Sequence, residues 1–353
     1  MPQLFIIDDN WTHQQWISTG GTRAKKFLQA PDGDFYYFKR SQLKPGKDFT
    51  FEFWSEIIAS EVGSLLGFNM LPYHLAIYGE VAGCICKSMI ATDKEELIEL
   101  VKYLQAFSPN YNPILKDHQK WYTFHMIENS LESVKQKDAM KEVVKVMILD
   151  ALIGNGDRHQ ENMAFISTQK ELLTFMEKIL SGNPLPEEVW DDKIGSFVKK
   201  YFETEGVTVI SQHGGNKIGF SQPLRFSPIY DSGSSLGREL TEDKMNHYLQ
   251  NEKDFEAYID RGKSEIHWQD GQKLSHFDLL QHIMDTPYRS GIIADLQRLQ
   301  LQWNEEKIAT IVMNVDNDLP ETHGRYGIPF NRKQFVLKLL TSRFKRLMTL
   351  LDA

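Results

Sequence analysis

The segment that most constrains this chain is the run Gly-Asn-Gly-Asp-Arg-His-Gln-Glu-Asn at residues 154–162. It directly follows an apolar run with helical periodicity over residues 138–153. The glycines predict a break in that helix, so that the chain turns and carries the Asp157 carboxylate into a cleft. Asn162 lies five positions after Asp157. This spacing of a carboxylate and an amide after an apolar helix indicates a catalytic loop.

Phosphoryl transfer accounts for this combination of side chains. Kinase-fold phosphotransferases use a loop aspartate to relieve the acceptor hydroxyl of its proton, and an asparagine close behind it as a magnesium ligand. Asp157 is therefore the predicted catalytic base, and Asn162 the predicted metal ligand. His159 is predicted to contact the transferred phosphate or to orient the loop through its two ring nitrogens. Arg158 is expected to steady the loop or to receive a phosphate.

A second acidic position lies further along the chain, at Asp231 within Tyr-Asp-Ser-Gly. In a phosphotransferase a carboxylate at this place in the order would bridge the metal ions to the β- and γ-phosphates. Either aspartate alone is also typical of a turn, because Asp and Gly cluster in turns. The combination of Asp157, Asn162 and Asp231 in this order favours the metal-binding interpretation.

The N-terminal part supplies a predicted phosphate clamp. Gly20 and Gly21 let the backbone approach phosphates, and Thr22 is a hydrogen-bond donor beside them. Lys39 ends an aromatic strand and is the predicted partner of the phosphates, with Lys25 and Lys26 as rivals.

A helix predicted over residues 53–66 supplies the partner of that lysine, Glu56, with Glu52 and Glu61 as alternatives. Ser88, Met89 and Ile90 follow a hairpin predicted over residues 71–89. By position they join two lobes and line an adenine slot. ATP and Mg²⁺ are the cofactors that these residues predict.

The order of the elements indicates an α+β, bilobed protein-kinase-like fold. Residues 1–90 form a small β-rich N-lobe with one helix, and residues 91–353 form a larger, mostly helical C-lobe. An insertion is expected at about residues 167–222. Within the C-lobe, helices are predicted over residues 94–104, 121–131, 138–153, 170–181, 187–203 and 331–351, and a hairpin over residues 207–220.

Charge and hydropathy exclude several function classes. The formal net charge of -8 argues against a general nucleic-acid binder and against steering to an anionic membrane. No stretch approaches the roughly 20 apolar residues of a membrane span, and the first residues lack the pattern of a signal peptide. We expect a cytoplasmic, bacterial location, with export as an effector left open.

These residues resemble a known family. Residues 18–26, 38–39 and 56–67 look like the small lobe of HipA-like serine/threonine kinases. Residues 153–162 and 227–236 look like their catalytic and metal-binding segments. The resemblance implies transfer of the ATP γ-phosphate to a serine or threonine of a protein substrate.

The resemblance carries further expectations. It implies a toxin that takes an antitoxin partner, and autophosphorylation at Ser18 or Thr19 beside the glycine loop. The short stretch before Gly20 indicates a compact form without the extra N-terminal subdomain. The 68 residues between Asn162 and Asp231 exceed the family's usual hairpin and indicate a lid, a substrate platform or a partner site.

Two other functions stay open on the sequence. Residues 156–159 with Asn162 also resemble the catalytic loop of phosphoinositide kinases, although the acidic balance disfavours a membrane substrate. The third hypothesis is a pseudokinase that binds nucleotide without transferring phosphate. It ranks last because the key polar positions are filled.

Overall fold

The computed structural model describes most of the chain. The described residues are 2–13, 25–41, 43–44, 47–90, 95–167, 207–212, 215–220, 225–269 and 271–352. The glycine loop with Gly20, Gly21 and Thr22 lies outside these residues, as do Ser18 and Thr19. The helices predicted over residues 170–181 and 187–203 also lie outside them.

The N-terminal part is built on a six-stranded sheet with the order β1-β7-β8-β4-β3-β2. The strands up to residue 87 are β1 (Leu4–Ile7), β2 (Thr12–His13), β3 (Lys25–Gln29), β4 (Phe35–Lys39), β5 (Leu43–Lys44), β6 (Lys47–Asp48), β7 (His74–Tyr78) and β8 (Val81–Lys87). β1 runs parallel to β7, and the other neighbours are antiparallel. β5 and β6 form a separate two-stranded sheet. The β7–β8 hairpin confirms the one predicted over residues 71–89.

One helix, α1 (Glu52–Leu65), packs against this sheet. Its apolar face is fully buried, with Ile57, Ile58 and Val62 at most 3% exposed. Gly67 follows the helix with a φ of +78°, a conformation that glycine adopts without steric cost. The helix predicted over residues 53–66 is therefore confirmed, and it places a row of glutamates beside the end of β4.

The C-terminal part is mostly helical. Its helices are α2 (Leu100–Phe107), α3 (Phe124–Ser133), α4 (Met140–Ile153), α5 (Glu242–Gln250), α6 (Glu252–Arg261), α7 (His276–Met284), α8 (Arg289–Gln302), α9 (Glu305–Asn314) and α10 (Phe330–Thr349). The helices predicted over residues 121–131, 138–153 and 331–351 are confirmed with shifted ends. α4 is buried along most of its length and packs against α10, α7 and α8. It is the central support of the loop that follows it.

The helix predicted over residues 94–104 is wrong in its first half. Residues 96–99 form strand β9 (Glu96–Glu99), and only then does α2 begin. β9 pairs with β10 (Ala164–Ser167), which follows the predicted catalytic loop. This pairing between segments distant in sequence overrides the local helical pattern.

The remaining strands lie in and after the expected insertion. β11 (Val207–Gln212) and β12 (Gly215–Phe220) form the hairpin predicted over residues 207–220. β13 (Arg225–Phe226) pairs with β10 on the side opposite β9. The chain therefore returns to the end of the predicted catalytic loop just before it reaches Asp231.

The N-terminal part is tied to the segment before Asp231 by backbone pairing. Met70 and Ile229 form a parallel bridge. The Leu71 amide donates to the Ile229 carbonyl at 2.9 Å, and the Ile229 amide donates to the Asn69 carbonyl at 2.7 Å. This contact joins the end of the α1 region to the chain that carries Asp231.

Across the described residues, no helix combines the length and the apolarity that crossing a bilayer demands.

Candidate active site

The predicted catalytic loop begins where α4 ends. Gly154 caps the helix in the left-handed region, with a φ of 70°. The Asn155 amide nitrogen still donates to the Asp150 carbonyl at 3.0 Å, and the Asn155 side-chain oxygen accepts from the Asp157 amide at 3.2 Å. The predicted break is thus present, and it turns the half-buried Asp157 away from the helix axis.

Two polar side chains hold Asp157 in place. Its Oδ2 accepts a hydrogen bond from Ser234 Oγ at 2.8 Å. Its backbone carbonyl accepts from Asn162 Nδ2 at 3.0 Å, and that nitrogen also lies 3.3 Å from His159 Nε2. These contacts of Asn162 use its amide nitrogen, so its amide oxygen is the atom suited to a hard cation. The five-residue spacing therefore closes a compact loop.

Lys39 lies at the centre of a buried charge cluster. Its ammonium donates to Glu56 Oε1 at 2.7 Å, to the Tyr73 hydroxyl at 3.1 Å and to Asp231 Oδ1 at 3.2 Å. Burial alone lowers the pKa of Lys39, but the Asp231 and Glu56 carboxylates outweigh it and raise that pKa well above its ordinary value. The lysine is therefore held as a cation between a helix and the predicted metal ligand.

The rival residues have other positions. Glu52, one turn before Glu56, forms an ion pair with an arginine of the C-terminal part. Lys26 places its ammonium 3.9 Å from the centroid of a tyrosine ring in β7, and Lys25 is the strand neighbour of Lys39 in the β3–β4 register. Of the predicted pairings, the one between Lys39 and Glu56 is present among the described contacts.

Asp231 adopts an unusual backbone conformation. Its φ is 56°, in the left-handed region that non-glycine residues seldom enter, although aspartate tolerates it better than most. Residues held in such conformations cluster at functional sites, where the surrounding structure enforces them. Here the conformation accompanies the contact between the Asp231 carboxylate and Lys39, 192 positions earlier in the chain.

Arg158 connects the loop to the Asp231 segment. Its side chain is 1% exposed and donates to both carboxylate oxygens of Asp150, with an Nη2–Oδ1 distance of 2.8 Å. It also donates to the Tyr230 carbonyl at 2.5 Å, to the Ser232 hydroxyl at 3.1 Å and to the Asn162 carbonyl at 3.3 Å. Of its two expected roles, these buried contacts favour that of steadying the loop.

His159 lies half-buried beside Asp157, the predicted catalytic base. Its Nδ1 lies 2.8 Å from Glu161 Oε2. Burial lowers the pKa of His159, but the contact with Glu161 and the charges of Asp157 and Glu161 outweigh it, so that the net shift is upward. The same contact overcomes the effect of burial on Glu161 and lowers its pKa. Between its two predicted roles, the geometry favours orientation of the loop.

The three predicted adenine-slot residues directly follow β8. The Ser88 amide donates to the Phe35 carbonyl at 2.7 Å, and the Ile90 amide donates to Ser88 Oγ at 3.3 Å. Met89 is partly buried against the main apolar core. The segment thus lies between the N-terminal sheet and β9.

Several residues of the site were not predicted from the sequence. Tyr73 contacts Lys39, and Ser234 contacts Asp157. Nothing in the local sequence of either residue indicates these contacts. Asp150 carried a signal, because a carboxylate inside an otherwise apolar helix needs a buried partner. Glu161 was visible as an acidic neighbour of the histidine.

The donor set at the centre of the site suits magnesium. Asp231 offers a carboxylate and Asn162 an amide oxygen, and Mg²⁺ is usually bound by oxygen from one or two such side chains together with substrate phosphates. Lys39 supplies a buried cation on the Asp231 side. The chemistry of these side chains is suited to a nucleoside triphosphate bound together with a metal ion.

The described architecture is that of a kinase-like fold, with a sheet and one helix over a helical part. A solved structure with this architecture is the Helicobacter pylori proinflammatory kinase CtkA, with a TM-score of 0.68 and 16% identity. The match covers 99% of this chain and 96% of CtkA. It confirms the bilobed α+β fold predicted from the sequence.

A more distant match is HipA of Shewanella oneidensis MR-1, in a complex with HipB and operator DNA. It has a TM-score of 0.47 and 13% identity, and it covers 98% of this chain and 69% of HipA. No protein-family model matches the sequence, and no curated protein sequence matches it.

Proposed function

We propose that this chain is a serine/threonine protein kinase that uses ATP and magnesium. The observation that supports this most strongly is the buried contact of Lys39 with both Glu56 and Asp231. These groups come from β4, from α1 and from a segment far along the chain. A buried cation held between two carboxylates requires excellent geometry to offset its desolvation, which favours a functional role.

Each polar side chain has a proposed task. Glu56 holds the Lys39 ammonium, which pairs with the phosphates of ATP. Asp231 and Asn162 hold magnesium, which would neutralise charge on the phosphates during transfer. Asp157 accepts the proton of the substrate hydroxyl, and Ser234 and Asn162 fix the orientation of Asp157. Arg158 keeps the two segments in register, since it contacts both.

Other parts of the proposal come from the sequence. We place the division between the lobes at about residue 90, with Ser88, Met89 and Ile90 at the adenine. Gly20, Gly21 and Thr22 would cover the phosphates. Autophosphorylation at Ser18 or Thr19, an antitoxin partner and a cytoplasmic location remain predictions from the resemblance and the composition.

The test is phosphate transfer from labelled ATP to proteins of a bacterial lysate, followed by mapping of the labelled residues. We expect label on serine or threonine, lost in Asp157→Asn and in Asp231→Ala. Glu132→Gln, a change in an exposed ion pair with Lys137, is the matched control and should retain full transfer. Full transfer by Asp157→Asn would refute the catalytic assignment.

The same assay with phosphoinositide vesicles added as a second acceptor, together with a measurement of ATP binding, separates the alternatives. Label on phosphoinositide vesicles in place of protein would identify a lipid kinase. Binding of ATP with magnesium and no labelling of any acceptor would identify a pseudokinase.

A further inference from the structure

Helix α1 is fastened to the Asp231 segment at its first residue. Arg238 Nη1 donates to Glu52 Oε1 at 2.5 Å, and the guanidinium carbon lies 4.5 Å from the centroid of the Phe49 ring. The two charged side chains are 18% and 6% exposed. Glu56 follows Glu52 by one helical turn and therefore lies on the same face of α1. Glu56, which holds Lys39, and Glu52, which contacts Arg238, therefore move together.

The segment between Asp231 and Arg238 is itself tightly constrained. Asp231 and Leu236 both have a φ of 56°, so two non-glycine residues are in the left-handed region. A Cβ added at Gly233 would lie 3.3 Å from the Glu52 backbone oxygen and 3.5 Å from the Glu56 carboxyl carbon. Any movement of the start of α1 would therefore displace the residues that follow Asp231.

A second arginine supports this arrangement from α10. Arg332, 6% exposed, donates to the Leu240 carbonyl at 2.7 Å and to Glu242 Oε1 at 2.8 Å. Its guanidinium carbon lies 4.6 Å from the centroid of the Phe51 ring, immediately before α1. These contacts hold the chain that follows Arg238 against the C-terminal helix α10, and they thereby restrict the movement of Arg238.

We infer that Arg238 is a positioning residue that sets α1 so that Glu56 holds Lys39 against Asp231. The inference rests on the proposed function for its effect on catalysis. Without the ion pair, Glu52 keeps a buried carboxylate with a partner removed, which favours displacement of the helix start. A misplacement of 1 Å in a catalytic constellation costs on the order of 100-fold in rate.

The experiment uses the full chain with Arg238→Gln, Arg238→Lys and Glu52→Gln. The control is Lys333→Gln, which removes a similarly buried ion pair with Asp316, at 11% and 12% exposure, between α10 and the residues that follow α9. Two quantities are measured for each variant: kcat/KM for phosphate transfer, and the rate at which Lys39 is acetylated by acetic anhydride, followed by mass spectrometry. Thermal unfolding supplies Tm.

We expect Arg238→Gln and Glu52→Gln to lower kcat/KM by about 10- to 100-fold and to speed the acetylation of Lys39. A double variant that combines Arg238→Gln with Glu52→Gln should lose no more kcat/KM than either single variant, because both changes remove the same contact. Arg238→Lys should recover part of both quantities. Lys333→Gln should lower Tm and leave kcat/KM and the rate of Lys39 acetylation near their wild-type values.

If Arg238→Gln shows the wild-type kcat/KM and the wild-type rate of Lys39 acetylation, the inference is overturned. It is also overturned if Arg238→Gln and Lys333→Gln change these two quantities equally for the same loss of Tm. If the wild-type chain transfers no phosphate, the proposed function fails, but Lys39 acetylation still decides whether Arg238 positions the helix.

Discussion

The ion pair between Asp150 and Arg158 gives the sharpest stability prediction. Both side chains are almost fully buried, at 5% and 1% exposure, and Arg158 makes a bidentate contact with Asp150. Asp150→Asn keeps the shape of the side chain and removes its charge. The Arg158 guanidinium then has neutral acceptors alone, the Tyr230, Asn162 and Ser232 oxygens.

Breaking a buried pair by neutralising one partner costs about 3–5 kcal/mol, because an uncompensated charge remains in the interior. We therefore expect Asp150→Asn to lower the free energy of unfolding by that amount in urea denaturation. Glu132→Gln is the control, since it breaks an ion pair whose side chains are 55% and 53% exposed. Its expected cost is below about 1 kcal/mol.

The comparison has a clear failing result. A loss below about 1 kcal/mol in Asp150→Asn, equal to that in Glu132→Gln, would show that Arg158 does not depend on this charge. Phosphate transfer should also fall in Asp150→Asn, because Arg158 holds the Asn162 and Tyr230 carbonyls on either side of the site. Transfer that stays at the wild-type rate in a destabilised variant would contradict the positioning role of Arg158.

Three further predictions follow from single contacts. Gly83→Ala places a Cβ 2.3 Å from the Lys39 carbonyl, so we expect a loss of roughly 1–3 kcal/mol in urea denaturation and a larger relative loss of phosphate transfer. Gly291→Ala, in helix α8 with open space around it, should instead stabilise by about 0.5–1 kcal/mol, and a loss there would contradict the helix assignment. His276 is buried, and burial together with the Arg343 and Lys273 charges lowers its pKa well below 6.5. Below pH 6.5 the unfolded chain therefore binds a proton that the folded chain does not, and stability should fall with decreasing pH by up to about 1.4 kcal/mol per pH unit from this group. Urea denaturation from pH 5 to 8 should show a weaker dependence of stability on pH in His276→Asn than in the wild type. An unchanged dependence would refute the conclusion that His276 has a lowered pKa in the folded chain.

The parts of the fold that the sequence predicts are those set by local patterns. Helix α1 and helix α4 show their apolar periodicity directly, and Gly154 marks the end of α4. Strand β9 was missed because Glu96–Glu99 has no local strand pattern, and its pairing with β10 is decided by the fold. Strand β1 was not predicted, although its sequence Leu-Phe-Ile-Ile has the aromatic and β-branched residues that are typical of a strand.

The site divides in a similar way. Asp157 and Asn162 were predictable because one short loop contains both. The pairing of Lys39 with Glu56 followed from the order of strand and helix, with Glu52 and Glu61 as alternatives. Glu52 forms an ion pair with Arg238, and such a contact between residues 186 positions apart leaves no local signal.

The most direct measurement of the central claim is a crystal structure with a non-hydrolysable ATP analogue and Mn²⁺, read from anomalous scattering. Metal peaks at the Asp231 carboxylate and the Asn162 amide oxygen, with the phosphates at the Lys39 ammonium, are the result that we predict. Metal peaks distant from both side chains, or a nucleotide bound away from Lys39, would contradict it.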